Sequence, residues 1–123
     1  MRSGRKNRDV WNRIYSSGDG IMEYPSEDLV RLVHRRLDPE VDRNVLDLGF
    51  GSGNNLIFLL RAGFHCSGAE ISPEATRIAG DRLRKLELTA DLRTMEHAIP
   101  FDDGSFDAVI SWHVLYYNGE EEL

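Results

Sequence analysis

From residue 44 to residue 111, short apolar runs alternate with longer stretches of helical periodicity. Val45-Leu46 and Leu48 form a run short enough for a strand and apolar enough to be buried on both faces, interrupted by one acid, Asp47. The continuous run Leu56 to Leu60 reads as a buried helix. It starts at Asn54 or Asn55 and closes at Gly63, where a left-handed residue belongs. His65 to Ala69, a second strand of mostly small residues, ends at Glu70. Ser72-Pro73-Glu74 then gives an N-cap, a proline at the first helical position and an acid in the first turn. Ala75, Ile78, Ala79 and Leu83 make that helix's apolar face, and Arg77, Arg82, Arg84 and Lys85 its wet face. Ala90 to Met95 alternates weakly and is the candidate third strand. Phe106 to Ile110, after the turn signal Asp103-Gly104, is a fourth, buried one. Such an order, with right-handed crossovers, predicts an α/β fold: a parallel sheet with helices on its faces.

The first forty residues follow a different pattern. Val10, Trp11, Ile14 and Tyr15 fit an amphipathic helix over residues 7–16, which Ser17-Gly18-Asp19-Gly20 breaks. Tyr24-Pro25 leads to Ser26 as an N-cap, with Glu27 and Asp28 at the positive end of a second helix. That helix is expected to bury Leu29, Val33 and Leu37, with Val30 and Leu32 beside them. Arg35 and Arg36 lie near its negative end, and Pro39 stops it. The expected division is an N-terminal helical cap over residues 1–40 and an α/β core over 41–123.

Composition removes several classes. At 123 residues the chain is at most one small domain. Its net charge of −6 argues against a nucleic-acid-binding surface, and the cluster Arg2, Arg5, Lys6 and Arg8 reads as a solvated terminus. Cys66 is the only cysteine, so no internal disulfide forms and a reducing compartment fits. No apolar run reaches a membrane span and no signal peptide precedes the first helix, so a soluble cytoplasmic protein is expected. His34, His65, His97 and His113 have no paired spacing that suggests a zinc site, and no Ser-His-Asp or Cys-His set stands out.

The chemistry centres on Asp47-Leu48-Gly49-Phe50-Gly51-Ser52-Gly53. Glycines at alternate positions let a ligand approach bare backbone, and the following helix start offers unpaired N–H groups to an anionic group. The dinucleotide fingerprint GxGxxG needs glycine at position 54, which is Asn here, and does not include an acid two residues ahead. The pattern Asp-x-Gly-x-Gly-x-Gly resembles motif I of class I S-adenosylmethionine-dependent methyltransferases. Glu70, 21 positions after Gly49, stands where a carboxylate can accept both ribose hydroxyls of an adenosine. The thirteen residues from Ile99 to Ser111 resemble the segment written LPFxDxSFDxV in small-molecule members of that family.

This resemblance, which runs from Asn44 to Tyr117, implies a Rossmann-like sheet with strand order 3-2-1-4 and helices on both faces. It implies S-adenosyl-L-methionine as cofactor and methyl transfer to a small-molecule substrate, and the charge and the short apolar runs leave no nucleic-acid or membrane partner expected. The implied cofactor residues are Asp47, Gly49, Phe50, Gly51, Gly53, Glu70, Ile71, Met95, Glu96, Ser111 and Trp112. Asp47 would help to hold the amino end and Glu70 the ribose. The family's adenine-binding acid falls at Met95, with Glu96 next to it, so either Glu96 makes that contact or Met95 packs against the adenine while backbone supplies the polar contact. Ser111, Trp112 and His113 should face the cofactor beyond the fourth strand, which makes His113 a weak candidate for a catalytic base. Trp11, Tyr15 and Tyr24 either line the site or pack on the sheet; Tyr116 and Tyr117 read as packing residues. The rival readings are a nicotinamide-dependent oxidoreductase, a non-catalytic adenosine-ligand module, and a methyltransferase acting on nucleic acid or protein. The family sheet continues 5-7-6 beyond the four strands found here. The chain is therefore expected to be a partial catalytic domain, lacking the C-terminal strands, with weak cofactor binding and self-association through an exposed edge strand.

Overall fold

The computed structural model describes residues 8–10, 12–13, 16 and 24–112. Trp11, Ile14, Tyr15, His113, Tyr116 and Tyr117 lie outside the described residues. Residues 8–10, 12–13 and 16 are helical, within the span expected for the first helix. The continuous part contains α1 (Glu27–Arg36), β1 (Asn44–Leu48), α2 (Asn54–Arg61), β2 (His65–Glu70), α3 (Pro73–Lys85), β3 (Asp91–Thr94) and β4 (Ala108–Ile110). The four strands form one sheet in the order β3-β2-β1-β4, and every pairing is parallel. Strand order, direction and alternation with helices agree with the sequence expectation.

Register explains where the core sits. Val45 and Asp47 of β1 lie beside Cys66 and Gly68 of β2 and beside Ala108 and Ile110 of β4. Val45, Cys66 and Ile110 share one apolar cluster with Leu29 and Val33 of α1, Leu56 and Leu59 of α2, and Ala79 and Leu83 of α3. Helices α1, α2 and α3 therefore all pack on one face. This follows from chain path: β1-α2-β2 and β2-α3-β3 step the same way, so right-handed crossovers place both helices on the same side. The expected second helical layer is not among the described residues.

The opposite face carries Leu46, Ala69, Arg93 and Val109. Arg93 lies with its guanidinium 4.3 Å from the centre of the Phe101 ring and also donates to the Pro100 carbonyl. Phe101 meets Phe106 edge to face at 5.3 Å. The segment that resembles LPFxDxSFDxV is thus a strap on this face, bringing the chain from the end of β3 to the start of β4. Asp107 closes it by exchanging two hydrogen bonds with Asn44: its N–H donates to the Asn44 carbonyl at 2.8 Å, and its carboxylate accepts from the Asn44 N–H at 2.9 Å.

Two expectations need correction. The fourth strand is shorter than predicted and not fully buried: Ile110 is buried but Val109 is 57% exposed. Among the described residues β4 has one sheet neighbour and no helix over Val109. In α1, Leu29 and Val33 are buried as expected, whereas Leu32 is 47% exposed, because the helix presents only one narrow stripe to the sheet. The end of α2 matches its sequence signal closely. Gly63 has φ 104°, its N–H donates to the Leu60 carbonyl at 3.1 Å, and the Phe64 N–H reaches back to Leu59 at 3.2 Å.

Gly68 is required by packing rather than by backbone angle. A Cβ at that position would lie 2.5 Å from Cδ2 of Phe50 and 3.1 Å from a Leu92 methyl. Gly68→Ala is expected to lower stability by about 1–3 kcal/mol through overpacking. Urea denaturation measures it, and Phe50→Leu in the same chain should recover part of the loss.

Candidate functional site

The site forms where β1 and β2 end side by side. Just beyond β1, Gly49, Gly51 and Gly53 have φ values of 75°, 59° and 91°, all in the left-handed region that side chains disfavour. The Gly49 N–H donates to the Ala69 carbonyl at 2.6 Å, extending the β1–β2 ladder by one step. The Gly53 N–H then closes a tight turn onto the Phe50 carbonyl at 3.0 Å, and the Gly53 carbonyl accepts the first bond of α2 from Ile57 at 2.8 Å. α3 packs directly on this turn: a Cβ at Gly53 would lie 3.3 Å from the Ala79 Cβ. Arg82 of α3 donates to the Ser52 carbonyl at 2.8 Å. Helical periodicity assigned Arg82 to the wet face, but its long side chain bends inward to the glycine turn.

Two carboxylates frame the turn. Asp47 is 2% exposed, and its Oδ2 has no hydrogen-bond partner. Burial first, and the nearby Glu70 charge second, push its pKa up to about 7. Glu70 is 6% exposed and holds two turns at once: Oε1 accepts from the Gly51 N–H at 3.0 Å and Oε2 from the Ser72 N–H at 2.7 Å. Burial raises the Glu70 pKa, while the amides of Ser72, Gly51 and Ile71 pull it back. An ionised carboxylate offers about four lone-pair directions, so Glu70 keeps acceptor capacity beyond these bonds.

The other predicted residues fall as follows. Gly51 and Gly53 are buried and Gly49 is half-buried, so the turn is more enclosed than bare glycine implies. Phe50 puts its ring into the core against Gly68, leaving only its backbone to a ligand. Ile71 and Met95 are half-buried, and the Met95 N–H donates to the Glu70 carbonyl at 2.9 Å, which brings Met95 next to Glu70. The Glu96 side chain is exposed and pairs with Arg8. Ser111 is exposed, and Trp112 packs against the apolar core.

Four asparagine and serine contacts were not anticipated. The Tyr24 carbonyl accepts from Asn54 Nδ2 at 2.8 Å, and the Ser26 N–H donates to Asn55 Oδ1 at 2.9 Å, tying the segment before α1 to the start of α2. Asn12 Oδ1 accepts from the Ser72 hydroxyl at 2.9 Å and from the Glu74 N–H at 2.8 Å. The pair Asn54-Asn55 at a helix start was the one legible signal. The partners of Asn12 are 60 and 62 residues away, beyond any local pattern.

The family model described as "Methyltransferase domain" matches residues 45–123 of the chain. The chain belongs to the class I S-adenosylmethionine-dependent methyltransferases. It is 34% identical over 105 residues to a "Probable 18S rRNA (guanine-N(7))-methyltransferase" of Dictyostelium discoideum, covering 84% of this chain and 36% of that one. To the ajmaline N-methyltransferase of Rauvolfia serpentina it is 32% identical over 106 residues, covering 76% and 36%. A solved structure of a SAM-dependent methyltransferase from Methanosarcina mazei is 31% identical with a TM-score of 0.56, over 64% of this chain and 40% of that one. A structure described for thioacetal formation during echinomycin biosynthesis shares the fold, at a TM-score of 0.76 and 23% identity, over 87% and 47%. The chain spans about a third of the length of these curated relatives.

S-adenosylmethionine is the cofactor of this family, and the residues present fit it. Its amino group would supply the cation that the buried Asp47 carboxylate, with its unpartnered oxygen, lacks. Its ribose hydroxyls would find the remaining acceptor capacity of Glu70.

Two predictions test the carboxylates. Because the Asp47 pKa is raised on folding, the native state binds more protons than the unfolded chain between about pH 4 and about pH 7. Its contribution to stability is therefore lost as pH rises through that window. Asp47→Asn should flatten this slope and raise the melting temperature of the ligand-free protein at pH 8, read by thermal denaturation across pH. Glu70→Ala removes the acceptor of two backbone amides. With those buried amides left unpaired, the variant should lose about 1–3 kcal/mol of ligand-free stability, measured by urea denaturation.

Proposed function

We propose that the chain contributes the cofactor half of an enzyme that transfers a methyl group from S-adenosylmethionine to a small-molecule acceptor. The observation that carries this reading is the unpartnered, buried Oδ2 of Asp47 beside a glycine turn whose backbone is pinned by Glu70. In this reading Asp47 takes the amino end, Gly49 and Gly51 pass beneath the methionine part, and Glu70 accepts from the ribose. Ile71 and Met95 pack near the adenosine, with Glu96 or backbone supplying the polar contact to adenine. Ser111 and Trp112, just past β4, lie on the side from which an acceptor approaches; His113, a base candidate from sequence, falls outside the described residues. The bound cofactor supplies a methyl group on a positively charged sulfur, already activated for in-line displacement. The protein's task is then to orient the two reactants and keep water out, which needs no nucleophile or metal from the chain.

Two observations support a small acceptor: the net charge of −6, and a relative named for N-methylation of ajmaline. A second reading, an RNA acceptor, is favoured by the relative named for 18S rRNA. The division into a helical cap over residues 1–40 and a core over 41–123 belongs to the proposal, as does self-association through the exposed β4 edge at Val109.

Calorimetry with S-adenosylhomocysteine and with NAD tests the cofactor assignment. The chain should bind S-adenosylhomocysteine the more tightly, and tighter binding of NAD would overturn the reading in favour of an oxidoreductase.

A further inference from the structure

The first turn of α3 is capped twice. Ser72 caps it locally, its hydroxyl oxygen accepting from the Ala75 N–H at 3.1 Å. That hydroxyl then donates to Asn12 Oδ1, which also accepts from the Glu74 N–H, a first-turn amide that the helix itself leaves unpaired. An N–H can only donate, so the Asn12 atom at this point must be its oxygen. The backbone N–H of the same Ser72 donates to Glu70 Oε2, and Glu70 Oε1 holds Gly51. One hydrogen-bonded path therefore runs from Asn12 through Ser72 and Glu70 to the glycine turn. Every side chain along it is buried or half-buried. The Arg8–Glu96 ion pair lies four residues before Asn12 and just past β3. Tyr24 and Ser26 meet Asn54 and Asn55 just past β1. Chain N-terminal to the sheet is thus fastened beyond the carboxyl ends of β1, β2 and β3, and Asn12 makes the attachment at β2.

We propose that Asn12 is a positioning residue of the cofactor site: by holding Ser72 and Glu74 it fixes the β2–α3 turn, and through Ser72 it sets the Glu70 carboxylate for both Gly51 and a ribose. This rests on the reading of the site given under Proposed function. A helix cap alone would make Asn12 matter only to α3; the path through Glu70 makes it matter to a turn after a different strand. The chemistry required of residue 12 is an acceptor oxygen at a short reach. Aspartate supplies the same oxygen and gains from the positive end of the helix, whereas alanine supplies none.

The test uses the whole 123-residue chain with Asn12→Ala and Asn12→Asp. Its readouts are calorimetry with S-adenosylhomocysteine and amide hydrogen exchange without ligand. Asn12→Ala should bind about tenfold more weakly, the loss of one well-placed hydrogen bond, and the Gly51 and Ser72 amides should exchange faster. Asn12→Asp should restore both to near the parent values. Faster exchange confined to the first turn of α3, with Gly51 unchanged, would reduce Asn12 to a helix cap and overturn the inference. Unchanged affinity in Asn12→Ala, or equal loss in both variants, would overturn it too. Failure of the parent chain to prefer S-adenosylhomocysteine over NAD would instead overturn the functional reading, and the cofactor role of Asn12 with it.

Discussion

Glu70 is the point on which the arrangement depends. Its carboxylate is buried, and burying a charge is costly unless hydrogen bonds replace the lost water. Backbone amides from two turns supply them. Because these turns follow β1 and β2 respectively, one side chain fixes the spacing between the glycine turn and the start of α3. The close approach of Ala79 to Gly53 and the reach of Arg82 to the Ser52 carbonyl both require that spacing. Without the carboxylate, the amides would lack a partner in a place water barely reaches.

The neighbouring Asp47 is left unsatisfied by the same arrangement. It lies on the helical face of β1, in register with Gly68, and one of its oxygens finds no donor. Two buried acids close enough to raise the Asp47 pKa are a liability in the ligand-free fold. Such a liability is usual where a protein keeps a place for a ligand, since the incoming group supplies what the fold omits. A cationic group beside Asp47 would relieve the repulsion and the missing hydrogen bond together.

The other side of the sheet is built differently. Helices cover one face, whereas the described part of the second face carries the Phe101–Phe106 strap stacked on Arg93. Val109 remains exposed on that side, next to the outer edge of β4. The carboxyl ends of β1 and β2, which carry the candidate site, are thus supported by an apolar layer. The region past β4, where an acceptor would approach, has less of the described chain around it.

Local signals were legible because they depend on neighbours in the chain. The Ser72-Pro73-Glu74 helix start, the left-handed Gly63 after α2 and the strand–helix alternation all follow from backbone sterics and periodicity within a few residues. The glycine turn and the acid 21 residues later could be read for the same reason: a strand, a turn and a helix of ordinary length place them at adjacent strand ends. What periodicity could not supply was the use to which side chains are put across the sheet. Glu70 read as a ligand-facing acid, but only tertiary contact with Gly51 makes it a structural clamp as well. Arg82 read as solvated until the turn after β1 offered it the Ser52 carbonyl, and only packing showed that the Phe50 ring fills the space beside Gly68, leaving its backbone toward the turn. Asn12 carried no signal, because its meaning lies in donors sixty residues away. Sequence by itself determined the elements, their order and the residue types at the glycine turn. The tertiary structure decided which polar groups hold one another and which oxygen is left without a partner, since burial and hydrogen-bond geometry exist only once distant segments have packed.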